Sequence, residues 1–93
     1  MSIVRISEFR ARIQKGDALW QQLSSINSLL ETSAGAQLCL LLRDYDDPAC
    51  LVIIEIWDSL EAQQAPMENV PAETFQQALQ LLAERPQSAY YHY

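Results

Sequence analysis

Histidine occurs once in this chain, at His92, the penultimate residue, with tyrosines on both sides. No cysteine or carboxylate cluster accompanies it at metal-ligand spacing, so no resident metal is expected. Asp46 and Asp47 are followed by no calcium-loop ligand set and read as part of a turn. No Ser-His-Asp arrangement, phosphate-cradling glycine loop or paired acid/base motif is present. Lysine and arginine together number 6 against 12 acidic residues, a formal charge of −6. That balance excludes nucleic acid and anionic membranes as partners, because phosphate binding needs a basic patch. No apolar run approaches the roughly 20 residues of a membrane span. The N-terminus lacks a signal-peptide pattern, so a cytoplasmic location is expected. Glycine and proline are sparse, at 2 and 4, and 49% of residues are apolar. That composition describes a folded domain and not a disordered tail. Repeats and low-complexity tracts are absent. The 93 residues suffice for one domain, 1–93. A chain this short buries only roughly 60–65% of its unfolded surface, so a partner that adds burial would matter.

What the chain does have is Leu51-Val52-Ile53-Ile54-Glu55-Ile56-Trp57, apolar at all but one position and β-branched at four. Length and composition predict a strand. Alternation sets Leu51, Ile53, Glu55 and Trp57 on one face and Val52, Ile54 and Ile56 on the other. Both faces are apolar, whereas an antiparallel sheet in a lone small domain usually has one wet face. Helices of one short chain cover one side, and something else must cover the other.

Around it the elements follow in order. Ser2 to Arg10 alternates as a first strand. Ile13 to Gly16 is a connection, and Asp17 is the expected N-cap of a helix. Leu19, Leu23, Ile26 and Leu30 recur at helical spacing, and Gly35 suits the left-handed position that ends the helix. Leu38-Cys39-Leu40-Leu41-Leu42 is a second strand. The polar Arg43–Pro48 stretch predicts a hairpin into the central strand. A turn near Asp46-Asp47-Pro48 sets Cys39 opposite Ile54 and Cys50 opposite Arg43. The two cysteines are then out of register, and two reduced thiols are expected. Asp58 with Glu61 resembles a capping box opening a short helix, which Pro66 limits. Pro71 opens a further helix with Phe75, Ala78, Leu79 and Leu82 on one face. Arg85-Pro86 stops it, and Ser88 to Tyr93 forms a last strand. There Tyr91 and Tyr93 share one face, Tyr90 and His92 the other. The order β-α-β-β-α-β, with the second helical region split, predicts an α+β ferredoxin-like sandwich with an antiparallel four-stranded sheet.

The stretch from Gly35 through Ala65 also carries a family resemblance. A helix ends at a glycine. A strand, an Asp-Asp-Pro turn and a strand closing on Glu55-Ile56-Trp57 follow, and then Asp58-Ser59-Leu60-Glu61-Ala62. This resembles the antibiotic biosynthesis monooxygenase family, whose third strand ends Glu-x-Trp and continues x-Ser-x-Glu-Ala. The resemblance implies a homodimer whose sheets pack face to face into an α/β barrel, and a pocket between sheet and helices in each subunit. It implies a cofactor-independent monooxygenase acting on a small phenolic or quinone-like molecule. The alternative is a non-catalytic dimeric binding or stress-related module, since the family includes proteins of unlike function. Departures from the family pattern fall at Pro66 and Thr74, where many members have histidine. Ser7 replaces the asparagine of the haem-degrading branch, and the helix around Phe75 lacks an axial histidine. Ile53 replaces an asparagine of the quinone-forming branch. No haem, flavin or metal cofactor is expected.

Glu55 and Trp57 are the candidate catalytic residues. The family position of Trp57 implies a cavity-facing ring able to stack on an aromatic ligand, although the same residue would also serve as plain core. Glu55 shares its face. A carboxylate on an apolar strand has a raised pKa and can act as a base, or it pairs with Arg5 or Arg43. A tyrosine from Tyr90 to Tyr93 is the next candidate for a polar group in the pocket.

Overall fold

The computed structural model describes residues 1–93. The elements run β1 (Ile3–Arg10), α1 (Gly16–Glu31), β2 (Ala36–Arg43), β3 (Cys50–Trp57) and α2 (Leu60–Gln64). After α2 come a 3-10 turn (Ala65–Asn69), α3 (Ala72–Gln80) and β4 (Gln87–His92). The strands form one antiparallel sheet in the order β2-β3-β1-β4. This is the ferredoxin-like α+β fold expected from the element order, with the sheet left open and not closed into a barrel.

The doubly apolar stretch is β3, an interior strand between β2 and β1. Its alternation is reproduced: Leu51, Ile53, Glu55 and Trp57 are buried, and Val52, Ile54 and Ile56 are half-buried. The buried set faces α1, whose stripe of Leu19, Leu23, Ile26 and Leu30 completes the core with Ala11, Cys39 and Leu82. Each large side chain removed from water there contributes about 1.5–3 kcal/mol. On the other face Leu38, Leu40 and Leu42 stand 39%, 42% and 43% exposed, in register with Ile56, Ile54 and Val52. Val4 and Ile6 of β1 continue those rows.

Three local expectations are corrected. Asp17 does not cap α1: the helix starts at Gly16, two residues before the start that an Asp17 cap would give, Lys15 holds the cap position, and no side chain caps it. The Asp17 carboxylate instead accepts from Arg43 Nη1 at 2.7 Å, so the ion pair takes the group that the cap would have used. Asp58 does not cap α2. Its backbone N–H is still bonded to Gly35 O at 2.9 Å and its carboxylate accepts from Gln37 Nε2 at 2.7 Å. The next residue, Ser59, caps the helix by accepting from Ala62 N–H at 3.1 Å. The hairpin register is one residue from that expected: Cys39 lies opposite Glu55 and Arg43 opposite Leu51, while Cys50 pairs with Arg10 on β1. The loop closed by Asp44 N–H to Cys50 O and Cys50 N–H to Asp47 O, both at 2.9 Å, sets this register, which holds from Arg43 to Leu38; the irregularity between Ala36 and Leu38 lies at the far end of the hairpin. Both thiols are free.

Gly35 follows α1 with φ +83°, in the region that side chains disfavour. A Cβ there would stand 2.6 Å from the Ala62 Cβ on α2, so the glycine also sets how closely the two elements approach. Gly35→Ala should cost about 1–3 kcal/mol through backbone conformation and this clash. Urea unfolding followed by circular dichroism checks it; an unchanged midpoint would contradict the assignment.

Candidate functional site

Because antiparallel partners share a face, the sheet can be read in rows running across the strands. One row on the helix-facing side is Cys39, Glu55, Arg5 and Tyr90; the next is Leu41, Ile53, Ser7 and Ser88. Polar groups from both rows meet at their centre. A cavity of about 320 Å³ lies over them, between the sheet and the helices. Its polar side is Arg5, Ser7, Glu55 and Ser88. Its apolar side comes from Leu23, Ile26 and Leu30 of α1, Met67 of the 3-10 turn, and Phe75 and Leu79 of α3. The Gln22 amide ties α1 to α3 by donating to Thr74 O at 3.3 Å and Gln77 Oε1 at 3.1 Å, which holds that roof in place.

Glu55 is 1% exposed. Its Oε2 accepts from Arg5 Nη1 at 3.3 Å, and its Oε1 accepts from the Trp57 indole N–H at 3.1 Å. Arg5 is therefore its partner; Arg43 is held elsewhere, by Asp17 and Pro48 O. Arg5 Nη2 donates to Ser88 Oγ at 3.3 Å, and the Ser7 and Ser88 hydroxyls are 2.8 Å apart. The Tyr90 ring lies 5.7 Å from the guanidinium carbon, within cation–π range, and its hydroxyl donates to the buried Gln63 of α2 at 3.2 Å. Burial raises the Glu55 pKa above the ordinary carboxylate value, against the opposing pull of Arg5 and of the Trp57 hydrogen bond. Burial also pushes the Cys39 thiol up to about 11, with Glu55 and Glu31 adding to the effect. That thiol is a core group and not a nucleophile.

The two sequence candidates thus come together as a hydrogen-bonded pair, but in different positions. Glu55 lines the cavity, whereas the Trp57 ring is fully buried beside it and outside the lining. Tyr90 reaches Arg5, and Tyr91 lies on the opposite face; none of the C-terminal tyrosines lines the cavity. The sequence pattern singles out neither Ser7 nor Ser88 as a site residue, and Arg5 only as a pairing partner. A signal for two of them was present: β1 sets Arg5 and Ser7 on the face shared with Glu55, and its apolar Val4 and Ile6 on the other. Chemically, the arrangement offers an apolar slot with one cluster of hydrogen-bond donors and a carboxylate closer to neutrality than usual. No three histidine, cysteine, aspartate or glutamate side chains converge into a ligand set. No helix is long and apolar enough to cross a membrane.

Comparison with known proteins bears on this site. The profile of the family described as antibiotic biosynthesis monooxygenase matches residues 2–78. The chain belongs to that family. A Nitrosomonas europaea structure carrying the family's name superposes with TM-score 0.87 at 18% identity, covering 97% of this chain and 96% of that one. A Deinococcus radiodurans structure of the same name gives 0.85 at 20% identity, with coverages of 98% and 91%. A Mycobacterium tuberculosis protein gives 0.86 at 19% identity, with coverages of 99% and 94%. At these identities the likeness establishes the fold. A comparison with curated proteins gave no match.

Glu55 binds its proton more tightly in the folded chain than in the unfolded one. The stability it contributes is therefore complete below the unfolded value near 4.5 and declines as pH rises through the higher folded value. Glu55→Gln removes this term. The unfolding free energy of the wild type minus that of the variant should fall as pH rises from about 4.5 toward neutrality. Denaturant titrations at stepped pH measure it, and a flat or rising difference would count against a raised carboxyl.

Proposed function

We propose that the protein is a homodimeric, cofactor-independent monooxygenase acting on a small, flat phenolic molecule held in the cavity. The observation that supports this most is the ion pair between buried Glu55 and half-buried Arg5, facing a mostly apolar cavity of about 320 Å³. An ion pair with a desolvated carboxylate is a poor source of stability, so one placed between interior strands beside a cavity is a candidate for chemistry.

In this reading Glu55 is the general base. A phenol entering neutral passes its proton to Glu55, and Arg5, no longer facing a carboxylate, pairs with the phenolate. The summed charge of the site stays at zero throughout, which an apolar cavity requires. The phenolate is electron-rich and donates to dioxygen itself. In an anthrone-like substrate the ring CH2 becomes C=O: one oxygen atom enters the ring, and the other leaves as water with the two displaced hydrogens. All four electrons come from the substrate. The protein supplies orientation, exclusion of water and the base. Trp57 acts behind Glu55, fixing Oε1 through its N–H.

Anthrone with purified protein in air should give anthraquinone, with one O2 consumed per turnover. Glu55→Gln should lower kcat on the order of 10²-fold or more, as loss of a general base does. Trp57→Phe should lower it less, and more than it lowers stability. Binding without oxygen consumption across a panel of phenols and hydroquinones would support the non-catalytic binding module instead.

The dimer reading rests on the outer face of the sheet. Val4, Ile6, Leu38, Leu40, Leu42, Val52, Ile54 and Ile56 share that face, and no element of the chain lies over it. Covering three or four of these side chains gains roughly 1.5–3 kcal/mol each, and an apolar patch that large marks an interface. Light scattering at micromolar concentration should give twice the chain mass, and Ile54→Asp should give a monomer. A wild-type monomer would contradict the proposal.

A further inference from the structure

The polar side of the cavity carries hydrogen-bond donors and acceptors that the protein leaves unused. A guanidinium carries five N–H bonds. Arg5 directs one to Glu55 and one to Ser88, and its buried Nε has no partner. The Ser7 and Ser88 hydroxyls share one hydrogen between them, and whichever donates, the other hydroxyl hydrogen has no acceptor in the protein. Donors are therefore in surplus. Glu55 accepts one bond at each oxygen, Trp57 at Oε1 and Arg5 at Oε2, so two of its roughly four lone-pair sites stay open. Spare donors and spare acceptor sites sit in neighbouring rows of one sheet face. The charges already cancel within the Arg5–Glu55 pair. Away from this cluster the walls are Leu23, Ile26, Leu30, Met67, Phe75 and Leu79, where a second polar group would go without a partner.

We infer that the cavity selects its ligand by one neutral ring hydroxyl, which donates to Glu55 while accepting from Arg5 or the Ser7–Ser88 pair. A hydroxyl is the small group that both donates and accepts. A methyl ether cannot donate to Glu55. A ring carboxylate brings an uncompensated negative charge beside Glu55, where like charges repel in an apolar surround. Ser7 and Ser88 are thereby specificity-determining residues. The inference rests on the reading of this cavity as a small-molecule site and adds to it which head group is taken and which are refused.

The test uses four probes with the same two fused rings: 2-naphthol, 2-methoxynaphthalene, 2-naphthoate and naphthalene, titrated calorimetrically into the full chain. 2-Naphthol should bind at least about tenfold tighter than each of the others, the effect of one hydrogen-bonded group against its absence or against a repelled charge. Glu55→Gln should weaken 2-naphthol and strengthen 2-naphthoate, because Arg5 then lacks its counter-charge and the ligand supplies one. Ser88→Ala lies on the edge strand, removes a single oxygen from an exposed residue, and should weaken 2-naphthol severalfold even if the Glu55 variant does not fold. Equal affinity for the four probes, or a preference for 2-naphthoate in the wild type, would overturn the inference while leaving the cavity reading intact. Failure of all four to bind would overturn both.

Discussion

An almost wholly buried carboxylate on an interior strand is the constraint on which the site depends. Glu55 stands in the only place where β3 breaks its apolar run, and two neighbours on its face, Arg5 and Trp57, donate to it. Arg5 lies directly across on β1, Trp57 is two residues along the same strand, and Cys39 is across on β2. Desolvation penalises the charge, and the guanidinium and the indole N–H offset part of the penalty. The compensation is incomplete, which leaves the carboxyl readier to hold a proton than a surface glutamate is. Removing one partner of such a pair would leave the other charge buried without compensation, an effect much larger than the worth of the pair itself. This asymmetry ties Arg5 and Glu55 together as a unit.

The same two strands serve two surfaces. On the inner face β1 and β3 present the polar cluster to the cavity; on the outer face they present Val4, Ile6, Val52, Ile54 and Ile56 to whatever lies there. Period-two alternation makes the two faces independent in composition although they share a backbone. The covering helices belong to one side only, which is how so short a chain can enclose a cavity instead of filling its whole interior with side chains.

Much of this was legible beforehand. β3 announced itself by length, β-branching and its two apolar faces. The stripe from Leu19 to Leu30 has no reading other than a helix with one buried face; Gly35 does take the left-handed conformation, but three residues beyond the Thr32 cap, so it shapes the turn into β2 and does not end the helix. The element order then leaves few topologies for a sheet of four strands. What was not legible lay in competition between polar groups at close range. Asp17 and Asp58 are both good caps by type, and both were claimed by other partners, Arg43 and Gln37. The serines of the site carry no pattern of their own: Ser7 and Ser88 acquire meaning only when β1 and β4 pair, and they are more than eighty residues apart in the chain. Trp57 illustrates the opposite limit. Its family position implied the cavity wall, but burial placed the ring one layer back, where it contributes its N–H and not its face.

The irregularity in β2 has a further effect. Ala36 pairs with Trp57 and Leu38 with Ile56, so Gln37 is one residue more than β3 can match. A surplus residue is released from the alternation that governs its neighbours, and its side chain is free to reach along the end of the sheet. It does so in two directions, toward Asp58 beyond β3 at 2.7 Å and toward Ser2 ahead of β1 at 3.1 Å. The ends of three strands are thus laced together by the one side chain that the ladder itself does not use. What looks like a counting error in the hairpin acts as a clasp.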